Sequence, residues 1–140
     1  MQGRMFLKVA GPAALAACAL IAAREPSALA QATAGLWEID GLPGGKPPIE
    51  QCIANVAMLA QFEHRGRQHC TRSLISDSPT SSVVQYSCGA ADFGRSKIDV
   101  ITPRSLRIST QGISENLPFN YVLEARRVGD CPKNPSVTRH

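Results

Sequence analysis

Ser96-Lys97-Ile98-Asp99-Val100-Ile101-Thr102-Pro103-Arg104-Ser105-Leu106-Arg107-Ile108-Ser109-Thr110 reads as two alternating runs separated by Pro103-Arg104. Ile98, Val100, Leu106 and Ile108 point one way, and Lys97, Asp99, Arg107 and Ser109 point the other. A period of two with one apolar side is the signature of antiparallel strands having one buried and one wet face. Working outward, the turn signals Asp77-Ser78-Pro79, Gly89 to Gly94, and Ser114 to Pro118 recur about every ten residues. They delimit strands at His69 to Ser76, Ser82 to Cys88, Ser96 to Thr102, Ser105 to Thr110 and Phe119 to Val128. Leu74, Val84 and Tyr86 join the apolar face, and Gln85 and Ser87 join the polar one.

Upstream, Ala34 to Asp40 is a strand with Trp37 and Ile39 on one face, and Gly41 to Pro48 breaks it. Ile49 to Ile53 is a short second strand carrying Cys52. Asn55 is placed to cap a short helix whose apolar residues run from Val56 to Phe62, with Gly66 placed to end it. The fold class that follows is mainly β (α+β): a curved antiparallel β-meander of about 6–7 strands packed with one short helix.

The N-terminus has the three regions of a secretory signal peptide. Arg4 and Lys8 precede an apolar run from Val9 to Ala23, and Ser27 to Ala32 supplies small residues. The run is shorter than the roughly 20 residues that span a bilayer, so no retained transmembrane helix is expected. Cleavage fits after Ala30 or after Ala32. Leu15-Ala16-Ala17-Cys18 also matches a lipobox, which would instead anchor the protein by lipid at Cys18. Both routes lead out of the cytoplasm, the first to the periplasm. The expected organisation is a signal peptide over 1–30, one domain over 31–132 and a loose tail over 133–140. Beyond the leader remain 12 basic and 10 acidic residues, scattered rather than clustered, which excludes a nucleic-acid-binding face.

Cys52, Cys70, Cys88 and Cys131 form an even set in an exported chain, with three possible pairings. The intervals of 17, 17 and 42 residues contain no Cys-x-x-Cys, unlike a redox motif or a zinc knuckle. A hairpin symmetric about Pro79 sets Cys70 across from Cys88 and leaves Cys52 to pair with Cys131. The same register turns Arg72 toward Tyr86 on the buried side, which requires an edge position or a partner.

Ala34-Gly-Leu-Trp-Glu-Ile39, the following cysteine with a helix behind it, the two mid-chain cysteines and the closing Ala125-Arg-Arg-Val-Gly-Asp-Cys-Pro132 together resemble one family. It is the domain-of-unknown-function (DUF) family thirty-six-seventeen, small exported proteins of Gram-negative bacteria. The resemblance runs from about Ala34 to Pro132, although Ile53-Ala54-Asn55 stands where relatives often carry a Thr-Pro-Glu-like cap. It implies a periplasmic, disulfide-linked β-rich domain and brings no catalytic residues.

Chemistry is sparse. His64 and His69, beside Glu63 and Cys70, lack metal-site spacing, because the histidines fall on different elements and Cys70 is claimed by a disulfide; no metal or cofactor is expected. His140 ends the tail, and no nucleophile motif is present. Glu38, Asp40, Glu50, Asp92, Asp99 and Glu124 offer no preferred pair of acids. Trp37 reads as a core plug, with a ligand-stacking wall as the alternative. The functional expectation is a non-catalytic periplasmic binding or structural accessory, its partner a small molecule or envelope component. The alternative is a small hydrolase using carboxylates that the fold brings together.

Overall fold

The computed structural model describes residues 25–67 and 69–133. The expected leader up to residue 24, including Cys18, and residues 134–140 of the tail lie outside them. Seven strands form one antiparallel sheet: β1 Gly35–Asp40, β2 Ile49–Ile53, β3 Thr71–Asp77, β4 Ser81–Ser87, β5 Phe93–Thr102, β6 Ser105–Ser114 and β7 Leu117–Gly129. Their spatial order is β2-β1-β7-β6-β5-β4-β3. β3 to β7 is the expected meander, and the first hairpin adds beside the last strand. Arg127 fastens that long-range junction, donating from Nε and Nη2 to the Ala34 carbonyl at 3.0 and 2.9 Å.

The strands keep the expected faces but outrun the expected ends. β5 starts at Phe93, inside the Gly89 to Gly94 stretch expected to turn, and β6 reaches Ser114. Glu115 and Asn116 make the β6–β7 turn, with φ of 51° and 64°, so Pro118 lies within β7. Its missing N–H is harmless there, because β1 pairs with β7 only from Glu124 onward. In the β3–β4 hairpin Arg72 faces Tyr86 and Leu74 faces Val84 as expected, and a bulge after Leu74 shifts the tip so that Asp77 faces Ser82. Arg72, on the edge strand, is half-buried with its guanidinium 3.4 Å from the Ala57 carbonyl.

Cys70 bonds Cys88 and Cys52 bonds Cys131. The first closes the β3–β4 hairpin, and the second joins edge strand β2 to the chain after β7. The inner face carries the core: Trp37, Ile39, Val84, Ile98, Leu106, Ile108, Leu123 and Ala125. Trp37 is 0% exposed, a core plug and not a ligand wall. Covering β5 and β6 is the segment Val56–His64, a 3-10 helix broken at Gln61 rather than a regular α-helix. Asn55 caps it as expected, its side chain accepting from the Ala57 N–H at 3.0 Å. Gly66 does not adopt the left-handed cap; the helix closes through the Arg65 N–H to the Phe62 carbonyl.

A second cover is formed by residues 26–32. Leu29–Gln31 makes one 3-10 turn, with Ala28, Leu29 and Ala32 buried in the core. Ser27 donates from its backbone N–H and hydroxyl to the two oxygens of Asp77, at 2.8 and 2.6 Å. Ala28 N–H donates to Ser82 Oγ. No helix among the described residues is long and apolar enough to cross a membrane.

Candidate functional site

The outer face of the sheet is built by the side chains that alternation turns away from the core. Register aligns them in rows across β4, β5, β6 and β7. Gln85, Arg95, Gln111 and Asn120 form one such row. Four adjacent strands span about 14 Å. Ser87, Phe93, Ile113 and Pro118 form the next row toward the β6–β7 turn, and Phe93 is 48% exposed. An open cleft of about 430 Å³ lies over these two rows. It adjoins a smaller one of about 250 Å³ that reaches Val83, Lys97 and Ser109 and shares Arg95, Gln111 and Asn120.

Charge is unevenly settled on this face. Lys97 Nζ donates to Asp99 Oδ2 at 2.9 Å, and Arg107 Nε to Glu124 Oε1 at 2.6 Å. Partial burial works to raise the Asp99 carboxyl, but hydrogen bonds from Lys97 and Ser81 outweigh it and hold the group below its ordinary range. Arg95 has no hydrogen-bond or ion-pair partner among the described residues. It is a cation at the centre of a row of amides, all with donors and acceptors to offer.

Behind this cleft the sheet is thinned by Gly94 and Gly112, a registered pair on the inner face. A Cβ on Gly94 would sit 2.5 Å from Tyr86 Oη, and one on Gly112 would meet the Phe93 carbonyl and the Phe119 ring. Without them, Tyr86 and Phe119 lie against the backbone and enclose His64, which is 3% exposed. His64 Nδ1 is 3.3 Å from Tyr86 Oη, and Nε2 is 3.7 Å from Asp92 Oδ1. Asp92 also accepts from the Glu115 N–H at 2.9 Å and from Arg67 at 3.0 Å. The Glu115 N–H, which favours the charged form, holds the Asp92 carboxyl low, with Arg67 and His64 adding to it against some desolvation. Asp92 thus ties the helix exit, the β4–β5 connection and the β6–β7 turn together.

Beside it, Tyr121 Oη donates to Glu63 Oε2 at 2.7 Å. Burial pushes the Tyr86 phenol up to about 12, and burial plus the Glu63 carboxylate raises Tyr121 as well. The unfolded chain therefore loses these protons first, so this stabilisation is intact below about pH 10 and is lost as pH rises through the folded values. Urea denaturation between pH 9 and 11.5 should show declining stability, with a shallower decline in Tyr86→Phe and in Tyr121→Phe. A slope identical to the parent in both variants would rule out these tyrosines as its cause.

The sheet register sets two pairs of candidate acids opposite each other, Glu38 with Glu50 and Asp40 with Glu124, and neither pair lines a cleft. Glu38 and Glu50 face each other in the β1–β2 register on the open outer surface, and Glu38 is held by Arg126 at 2.8 Å. Asp40 accepts from the Gly41 N–H. Of the four clefts described, none is lined by Asp or Glu, and each is lined by at least one Arg or Lys. Cys70 is consumed by its disulfide, His69 is exposed with φ of 68°, and among the described residues no three His, Cys, Asp or Glu are grouped to hold a metal.

No protein-family model, curated protein or solved structure matches the chain. The site therefore rests on its own residues. Alternation puts Gln85 on the polar face, but Arg95 falls between the expected Gly89 to Gly94 turn and the Ser96 to Thr102 strand. The alternation Phe93-Gly94-Arg95-Ser96-Lys97-Ile98 was the available signal.

Proposed function

We propose that this protein is an exported, non-catalytic binding accessory of the cell envelope whose ligand site is the outer-face cleft around Arg95. The observation that carries the reading is an unpartnered guanidinium set among three amides and an exposed phenyl ring, in a cleft without a carboxylate. Two disulfides suit an oxidising compartment, and the expected leader would deliver the chain to the periplasm, either free or held by lipid at Cys18. The sequence's resemblance to family thirty-six-seventeen agrees with that placement and brings no catalytic group. The hydrolase alternative needs two acids across a cleft, and the clefts lined by cations offer it none.

Native mass spectrometry of protein released from cells tests this. The expected result is a reproducible non-covalent adduct that disappears in Arg95→Ala. An adduct unaffected by that substitution, or none across growth conditions, would overturn the reading.

A further inference from the structure

Resting on that binding reading, we infer that the cleft over β4 to β7 takes a linear glycan bearing a carboxylate on alternate sugars. Three features of the cleft define this class. Arg95 is its unpaired cation, since Lys97 is already engaged by Asp99. A guanidinium presents a planar fork that matches a carboxylate in bidentate fashion, and a site with one such fork suits a polymer of sparse charge. A phosphodiester chain, charged at every unit, calls for many cations.

The row flanking Arg95 supplies amides on both sides, Gln85 on β4, and Gln111 and Asn120 on β6 and β7. Each amide both donates and accepts, as hydroxyl-rich and acetamido-bearing sugars require. Phe93, exposed at one side of this row, offers an apolar face on which the C–H side of a sugar ring can rest. The cleft is open, so an extended chain can cross the strands. Its span of about 14 Å is that of a di- to trisaccharide, which would place one carboxylate of an alternating polymer within reach of Arg95.

The probe is a hyaluronan hexasaccharide, alternating glucuronate and N-acetylglucosamine, measured by isothermal titration calorimetry at low salt. Chitohexaose, free glucuronate and poly-glutamate are the comparison ligands. The hexasaccharide should bind, more weakly as salt rises, while chitohexaose, which lacks the charge-assisted contact, free glucuronate, which lacks the flanking sugars, and poly-glutamate, which lacks sugar rings for the amides and Phe93, should each bind at least about tenfold more weakly. Arg95→Ala and Arg95→Lys should each lose about tenfold, because lysine keeps the charge but not the fork. Phe93→Ala should weaken binding several-fold, and Arg104→Ala, at the opposite β5–β6 turn, should leave it unchanged. Arg95 is exposed and unpartnered, so its variants should melt like the parent.

Equal binding of chitohexaose would exclude carboxylate recognition. Equal binding of poly-glutamate would exclude the sugar, and equal binding of free glucuronate would exclude the polymer. Absence of hexasaccharide binding, or an undiminished affinity in Arg95→Ala, overturns the inference. An Arg95-dependent adduct in native mass spectrometry alongside that failure would leave the binding reading standing, whereas failure of both measurements removes both.

Discussion

Leu29→Ala is expected to lower unfolding free energy by about 2–5 kcal/mol, the range for removing a fully buried leucine side chain and leaving a cavity. Leu29 is 2% exposed and lies in the same core as Trp37, Val84 and Ile98. In a domain of this size, with total stability of about 5–15 kcal/mol, that is a large fraction. A melting point lower by about 10–20 °C corresponds to the middle of the range. The loss cannot exceed the free energy of docking residues 26–32, because a sufficiently weakened segment undocks instead. Truncation to Thr33 therefore measures the ceiling and should cost at least as much. Urea denaturation of chains beginning at Pro26 and at Thr33 gives both values. A difference below about 1 kcal/mol would mean that the turn at Leu29–Gln31 contributes little beyond the entropy it takes to order it.

That prediction bears directly on export. Cleavage after Ala30 would remove Ala28 and Leu29 together with the Ser27 bonds to Asp77, and cleavage after Ala32 would remove the whole cover. Processing before Cys18 keeps all of it. The two proposed export routes would thus leave domains of different stability, and the intact mass of protein released from cells tells them apart. A mass beginning at Gln31 or Thr33 goes with the less stable form, and a diacylglyceryl group on Cys18 goes with the more stable one.

Alternation was a sufficient guide to the sheet because both faces of β4, β5 and β6 differ so sharply in polarity. Val84 against Gln85 and Ile98 against Lys97 leave one choice of which side is wet. The Leu74–Val84 register followed from the same rule and carried the disulfide pairing with it. The sequence is less informative where side chains vanish or conformations are local. Gly94 falls in an expected turn and Gly112 past the end of an expected strand, yet both are strand residues that make room for Tyr86 and Phe119. Val56 to His64 has apolar residues at intervals compatible with an α-helix, yet the segment that packs on β5 and β6 is a tighter 3-10 helix broken at Gln61. The row of Gln85, Arg95, Gln111 and Asn120 is scattered over 36 positions and becomes a site only when four strands align. His64, which the sequence places at the end of the helix, is enclosed by Tyr86, Phe119 and Asp92 from three other segments.

The second large effect is expected from the Cys52–Cys131 bond. It closes a span of 79 residues, against 18 for Cys70–Cys88. On the chain-entropy account, the long link restricts the unfolded chain by about 4.5 kcal/mol and the short one by about 3. Topology reinforces that order. β1 joins β7 across most of the chain, with Leu36 set against both Cys52 and Gly129, so the first hairpin has no sequence neighbour to hold it at the end of the meander. The 70–88 bond lies instead at the mouth of a hairpin whose strands already pair from Thr71 with Ser87 to Asp77 with Ser82. Replacing Cys52 and Cys131 together by alanine, which avoids a stray thiol, should therefore cost more than replacing Cys70 and Cys88. Urea denaturation gives the two values, and limited proteolysis should show that the first variant opens at β1, β2 and the end of β7 before the meander is cut. Equal losses from the two double variants would refute the loop-length argument, and first cleavage within β4 to β6 would refute the topological one.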